Sequence, residues 1–345
     1  MGQTLSEPVT EKHTTSGSDD RYAYATSEMQ GWRISMEDAH TTILRLSPPT
    51  QPRATTTHPP VAFFAVYDGH GGSAVARYAG SQLHKRIASD PAYAKGDYAK
   101  AIISGYLGVD VDLKADVNFA YDSSGCTAVC SIITDDGKLI VGNAGDSRAV
   151  LSSNGRAQPL SSDHKPVNPE EWDRIDAAGG FVQFGRVNGS LALSRALGDF
   201  DFKTGQNLPP EEQIVTAYPD VTIHQMTDED EFLVLACDGI WDCMSNQDVV
   251  DFIRIRIATS RGNLESICEA LMDHCLAPKS ELGGVGCDNM TVVIVGLLRG
   301  QTLPDWASNI RTKIETSTNM SAEEIEKANA MKMTENGSPS KSGAE

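Results

Sequence analysis

The sequence predicts a mixed α+β fold, mainly antiparallel sheets flanked by helices, on three observations. Short apolar runs with strand character recur at 61–67 (VAFFAVY), 231–237 (EFLVLAC) and 290–298 (MTVVIVGLL). Stretches with helical spacing intervene singly or in pairs, at 73–87, 247–259 and 264–276. The chain has 345 residues, 40% of them hydrophobic, enough for one large core.

Each element follows from local chemistry. Residues 7–20 are polar and rich in Ser and Thr, which predicts a mobile arm over 1–21 ahead of a domain spanning 22–300. The stretch 47–60 (SPPTQPRATTTHPP) carries five prolines and predicts an exposed, extended loop between two strands. Val75, Tyr78, Ala79, Leu83 and Ile87 recur at helical spacing and place a helix directly after the turn DGHGG. Lys138 to Asn143 and Arg148 to Ser152 read as paired strands around the turn NAGDS, with Asn154-Gly155 opening the next turn. In NPEEWDRIDAAGG, Asn168 is placed to cap a helix, Pro169 to start it, Glu171 to complete a capping box and Gly179 to end it. From about Leu303 apolar content falls, so 301–345 reads as a polar tail, with a solvated helix over Ala322 to Met333 and disorder at 335–345.

Composition excludes several functions. A formal charge of −18 and a pI near 4.8 repel nucleic acid and anionic membranes, whereas metal ions suit such a field. No stretch reaches the ~18 consecutive apolar residues of a membrane span, and no secretory leader opens the chain, so cytoplasm and nucleus are the expected compartments. Seven cysteines without a Cys-x-x-Cys pair read as reduced thiols, with Cys126, Cys130 and Cys237 in apolar surroundings. No cysteine has an arginine six positions later, as a cysteine-based phosphatase loop requires. The opening MGQTLS matches the pattern for N-myristoylation at Gly2. One acyl chain with only Lys12 and His13 nearby gives reversible visits to a membrane, not stable anchoring.

Acidic residues gather where apolar runs stop or start: YDGH at 67–70, AGDSR at 144–148, ACDGIWD at 236–242 and CDNMT at 287–291. If those strand ends meet, several carboxylates share one rim, where like charges about 4 Å apart repel by a few kcal/mol. A cation must neutralise them, and an all-oxygen set selects Mg²⁺ or Mn²⁺ over Zn²⁺. A fifth stretch, GWRISMEDAH at 31–40, adds Glu37 and Asp38 with Arg33 upstream, on the same face as Ser35 and Glu37 if the chain is extended. A guanidinium beside metal ligands suits a phosphate group, which it grips with two parallel hydrogen bonds.

WRISMEDAH, VYDGHGG, SGCTAV, GDSRAV, RVNGSLALSRALGD, ACDGIWD and DNMTVVIV, in this order between about 22 and 298, resemble the metal-dependent serine/threonine protein phosphatases of type 2C, fungal members among them. The resemblance implies a central antiparallel β-sandwich flanked on both faces by pairs of helices, with a dinuclear Mg²⁺ or Mn²⁺ site at one end. It implies that Asp68 bridges both ions, that Asp238 and Asp288 complete one position and Glu37 with the Gly69 carbonyl the other. Asp146 with Asp238 matches a weaker third position, Asp38 orients water or neighbouring ligands, Arg33 grips phosphate and His70 is the general acid. The implied reaction is direct attack by metal-activated water, without a phosphoenzyme. The implied partners of such a monomer are phosphoserine and phosphothreonine proteins, kinases among them, so that signalling is damped. A flap over about Lys165 to Asn188 is implied beside the site, where Trp172 and Phe184 either contact substrates or simply pack.

Other readings fit the residues less well. DVD at 110–112 suggests an aspartyl-phosphate enzyme, but Leu113 and Lys114 follow it in a helical stretch, where a surface acidic pair is the plainer reading. A binuclear metallophosphoesterase needs a Gly-Asn-His cluster, which VGNAGD lacks. A pseudophosphatase would have lost a ligand, yet Glu37, Asp68, Asp238 and Asp288 are all present. His164, His224 and His274 stand isolated and read as structural or surface residues. Cys126 and the GGVGC stretch before Asp288 depart from common family wording without removing a proposed ligand.

Overall fold

A computed structural model of the chain describes residues 4–47, 60–119, 121–280 and 284–327. In chain order its elements begin with β1 (Thr4–Ser18), β2 (Tyr22–Arg33), β3 (Ala39–Leu46), β4 (Val61–Tyr67), β5 (Gly69–His70), α1 (Ala74–Ser89) and α2 (Tyr98–Ala115). There follow β6 (Gly125–Cys126), β7 (Ala128–Ile133), β8 (Lys138–Ala144), β9 (Arg148–Ser153), β10 (Arg156–Pro159), α3 (Pro169–Ala177), β11 (Val182–Gln183), β12 (Arg186–Val187) and β13 (Leu197–Gly198). The chain continues through β14 (Asp220–Gln225), β15 (Asp230–Ala236), α4 (Asp238–Trp241), α5 (Asn246–Ser260), α6 (Leu264–Cys275), β16 (Met290–Leu297) and α7 (Leu303–Thr318).

Two antiparallel sheets stack face to face, one ordered β1-β2-β16-β15-β9-β10 and the other β14-β8-β7-β4-β3. The long strands are apolar on both faces because each face is covered. Phe64, Val66, Val129 and Val141 meet Leu151, Leu233, Leu235 and Val293 between the sheets. The alternate residues of the five-stranded sheet, Phe63, Ala65 and Tyr67, pack on α1 and α2 through Leu83, Ile87, Ile102 and Tyr106. Val234, Val292 and Ile294 of the other sheet pack on α5, α6 and α7 through Ile253, Leu271 and Ile310. The predicted sandwich with helices on both outer faces is therefore present. A three-stranded patch, β13-β6-β5, sits at one end.

Three local expectations are corrected. Residues 4–18 form an edge strand, paired with β2 from Thr4 opposite Arg33 to Ser18 opposite Ala23, and not a mobile arm. Its polar side chains bond the adjacent helix: Lys12 reaches Asp273 at 2.6 Å, Thr14 donates to Glu269 at 2.7 Å and Ser16 to Glu265 at 2.6 Å. Backbone pairing holds an edge strand whatever its side chains, so composition misread it. β8 and β9 do not pair either; they lie in opposite sheets, and the chain crosses between them at Gly145, whose φ of +124° favours glycine. Past residue 300 the chain does not simply leave the core, since α7 buries Trp306, Ile310 and Ile314, and helix resumes over residues 322–327.

The next turn, at Asn154 and Gly155, is the predicted tight hairpin, with φ of +48° and +77°. Gly2, most of the proline-rich loop and residues 335–345 lie outside the described residues. No described helix is long and apolar enough to cross a membrane.

Candidate metal centre and active site

Strand ends at one edge of the sandwich deliver the carboxylates. Asp68 ends β4, Asp146 sits at the β8–β9 crossover, Asp238 opens α4 after β15, Asp288 precedes β16, and Glu37 and Asp38 lie between β2 and β3. Two glycines let these segments close. A Cβ at Gly69 would lie 2.2 Å from the Glu37 carbonyl oxygen, and one at Gly239 would lie 2.0 Å from that of Asn289.

Oxygens of Asp68, Asp146 and Asp238 lie within 4.8 Å of one another, as do ligand atoms of Asp38, Asp68 and Cys237. Burial, then repulsion from Asp238, Asp38, Asp146 and Asp288, raises the Asp68 pKa well above the carboxylate range. Asp238 is raised in the same way, by burial and then by Asp146 and Asp288. Burial pushes Asp38 up to about 7, against the neighbouring Thr291 hydroxyl and Cys237 thiol, which lower it. The Asp38 Oδ1 is buried and has no partner among the described residues, while Oδ2 accepts from Thr291 at 2.7 Å. Crowded, protonation-prone carboxylates with an orphan buried oxygen fit a bound hard divalent cation, which would supply the missing positive charge.

The other predicted residues make different contacts. Glu37 and Asp288 stand outside those two clusters. Glu37 accepts from Ser35 at 2.8 Å and from the Gly72 amide at 3.2 Å, and its own amide donates to Asn289. Asp288 pairs with Arg33, so the guanidinium lies beside an acidic residue of the adjacent strand end. A cavity of about 270 Å³ opens there, lined by Thr4, Arg33, Asp238, Gly239, Asp242 and Asp288 among others. His70 is half-buried, and its Nε2 lies 2.7 Å from Asp199 Oδ2.

The match of one family model decides the kinship: protein phosphatase 2C, over residues 22–282. The chain belongs to the protein phosphatase 2C family. It is 56% identical over 315 residues to protein phosphatase 2C homolog 2 of Hypocrea jecorina, covering 91% of this chain and 71% of that protein. Identity to the Schizosaccharomyces pombe protein of the same name is 53% over 316 residues, covering 92% and 84%. A phosphatase crystal structure from Toxoplasma gondii aligns with a TM-score of 0.69 at 28% identity, over 84% of this chain and 96% of that one. As a member of this family the protein is a metal-dependent serine/threonine protein phosphatase, and its substrates are phosphoproteins.

Sequence reasoning missed three residues that contact the predicted site residues or the segment carrying them. Lys165 forms an ion pair with Asp146. Asn289 ties the β2–β3 segment to β16 by donating to the carbonyls of Gln30 and Ser35 at 2.8 and 3.0 Å. Asp199 faces His70, although it stood in the quoted motif RALGD. Asp110, read as a surface acid, instead pairs with Lys203 and accepts the Gly198 amide at 2.9 Å. The isolated histidines, expected to be structural or surface residues, have ordinary partners: His164 accepts the Gly145 amide at 3.1 Å, His224 meets Asp230 at 2.9 Å and His274 packs at a tilt against Phe252.

Proposed function

We propose that this phosphatase hydrolyses phosphothreonine and phosphoserine at the carboxylate rim by direct attack of water on phosphorus, without a phosphoenzyme. The observation that carries the reading is the convergence of Asp38, Asp68, Asp146 and Asp238, whose mutual repulsion leaves the metal-free site short of positive charge. Asp68 would hold two ions, Asp238 and Asp288 one of them, Glu37 and the Gly69 carbonyl the other, and Asp146 with Asp238 a weaker third. Mg²⁺ or Mn²⁺ bound there supplies an activated water and positive charge for the phosphoryl oxygens.

The chain's own residues do the rest. Asp38 orients water or neighbouring ligands, with its Oδ2 held by the Thr291 hydroxyl. Arg33 exchanges its contact with Asp288 for the phosphate oxygens, fixing the group for in-line attack. His70 gives a proton to the departing alkoxide, which is too basic to leave unprotonated. Kinase-cascade components fit as substrates, reached by a monomer in cytoplasm and nucleus, with reversible membrane visits if Gly2 is acylated.

The test is phosphate release from a phosphothreonine peptide with Mn²⁺ or Mg²⁺, with excess chelator, and beside a phosphotyrosine control. Metal-dependent, chelator-sensitive release confined to phosphothreonine is expected. Absence of turnover with either metal would overturn the reading.

A further inference from the structure

Beyond the family reaction, one short patch of sheet exists to bring two side chains together. β6 lies between β5 and β13, pairing Gly125 with His70 on one side and with Gly198 on the other. His70 and Asp199, 129 residues apart in sequence, therefore flank the same glycine. A Cβ on Gly125 would stand 2.1 Å from the Asp199 carboxylate oxygen and 2.7 Å from His70 Nε2, so only glycine leaves room for their contact.

Asp199 is held from several directions. Its side chain is 4% exposed, its φ of +52° is unusual for a residue other than glycine, and its amide donates to the Ser124 carbonyl at 3.2 Å. The loop around it is clamped onto α2: Asp110 accepts the Gly198 amide and pairs with Lys203, which also donates to the Ala196 carbonyl at 2.8 Å. A buried carboxylate fixed in a strained backbone, with its oxygen 2.7 Å from one imidazole nitrogen, is an arrangement that sets a ring's orientation and tautomer.

We propose that Asp199 is a positioning residue for His70: it accepts the Nε2 hydrogen and so presents Nδ1 as the nitrogen that hands its proton to the leaving alkoxide. The inference rests on the reading of His70 as the acid. Asp199 touches no substrate in this scheme, and its effect passes through the ring.

The experiment compares His70→Ala, Asp199→Asn, Gly125→Ala and the double variant His70→Ala/Asp199→Asn. Each is assayed with Mn²⁺ on a phosphothreonine peptide and on p-nitrophenyl phosphate, whose leaving group needs no proton. Asp199→Asn should lose about 10- to 100-fold in kcat on the peptide and at least tenfold less on the aryl ester. Gly125→Ala, whose Cβ would crowd both the carboxylate and the ring nitrogen and break their contact without removing either group, should show the same preference and stands in if the Asn variant fails to fold. The double variant should be no slower on the peptide than His70→Ala alone. In the metal-free protein, ¹⁵N NMR of the ring, assigned against His70→Ala, should give the Nε2–H tautomer.

An Nδ1–H tautomer, losses equal on both substrates, or additive losses in the double variant would overturn the role of Asp199. If His70→Ala itself loses equally on both esters, the acid reading falls and this proposal with it. If His70→Ala discriminates and Asp199→Asn does not, only the positioning role falls.

Discussion

At the residue scale, Asp68 and Asp238 carry the strongest conflict between stability and function. Each is raised well above the carboxylate range by burial first and by neighbouring carboxylates second, so its charged form is disfavoured until a cation arrives. Asp68→Asn and Asp238→Asn remove that conflict and a metal ligand together. Turnover on a phosphothreonine peptide should fall below detection, while thermal unfolding in chelator occurs at an unchanged or higher temperature. Activity retained in either variant would sink the assignment. These two residues were legible because each ends or follows an apolar strand, a local signal. Asp199 and Lys165 were not, because their partners lie far along the chain and meet them only through the packing of short strands and the β8–β9 crossover.

At the element scale, the region around α3 shows how a buried charge network supplements a small core. The apolar cluster there is Ile175, Val187, Ala196 and Val215. Glu171, read from sequence as part of a capping box, instead turns inward and accepts from Arg174 at 2.7 Å and from Arg195 at 2.7 and 3.0 Å; Arg195 then reaches Asp220 on β14 at 2.7 Å. Burial acts to raise the Glu171 pKa, but the Arg195 bonds and the Arg174 charge outweigh it and hold the carboxyl down at about 2. A depressed carboxyl adds stability above its unfolded pKa of 4.5 and loses it as pH falls through the folded value, here about 3 kcal/mol in all. Glu171→Gln should therefore lower the unfolding temperature at pH 7 and flatten its decline between pH 4.5 and 2, followed by fluorescence. An unaltered acid slope would refute the network's role. Trp172 and Phe184, the latter 92% exposed, stand outside this network and face solvent. The long strands and helices of the sandwich were legible from periodicity, whereas β1 was not: its hold on β2 and α6 is made by backbone and polar bonds that leave no apolar pattern.

At the scale of the whole molecule, a chain of charge −18 crowds Asp38, Asp68, Asp146 and Asp238 together at one edge, so metal, proton and folding equilibria are linked there. In the metal-free protein burial pushes Asp38 up to about 7 and raises Asp68 and Asp238, so these three carboxylates bind more protons in the folded state than in the unfolded one, while His84 and His274, whose pKa burial lowers, act in the opposite sense. Stability then falls as pH rises above the unfolded carboxylate pKa of 3.8 and goes on falling through the folded values. Divalent metal competes with those protons, and its binding to the folded state strengthens as they leave. In chelator the unfolding temperature should decline from pH 5.5 to 8; with millimolar Mn²⁺ the decline should shrink or reverse, the gain from metal widening with pH. Differential scanning fluorimetry over that range measures both curves. A metal effect independent of pH would mean that the ions bind away from these carboxylates, and a chelator curve that rises toward pH 8 would mean that the raised carboxylates do not dominate the titration, outweighed by His84 and His274 or offset by Lys165.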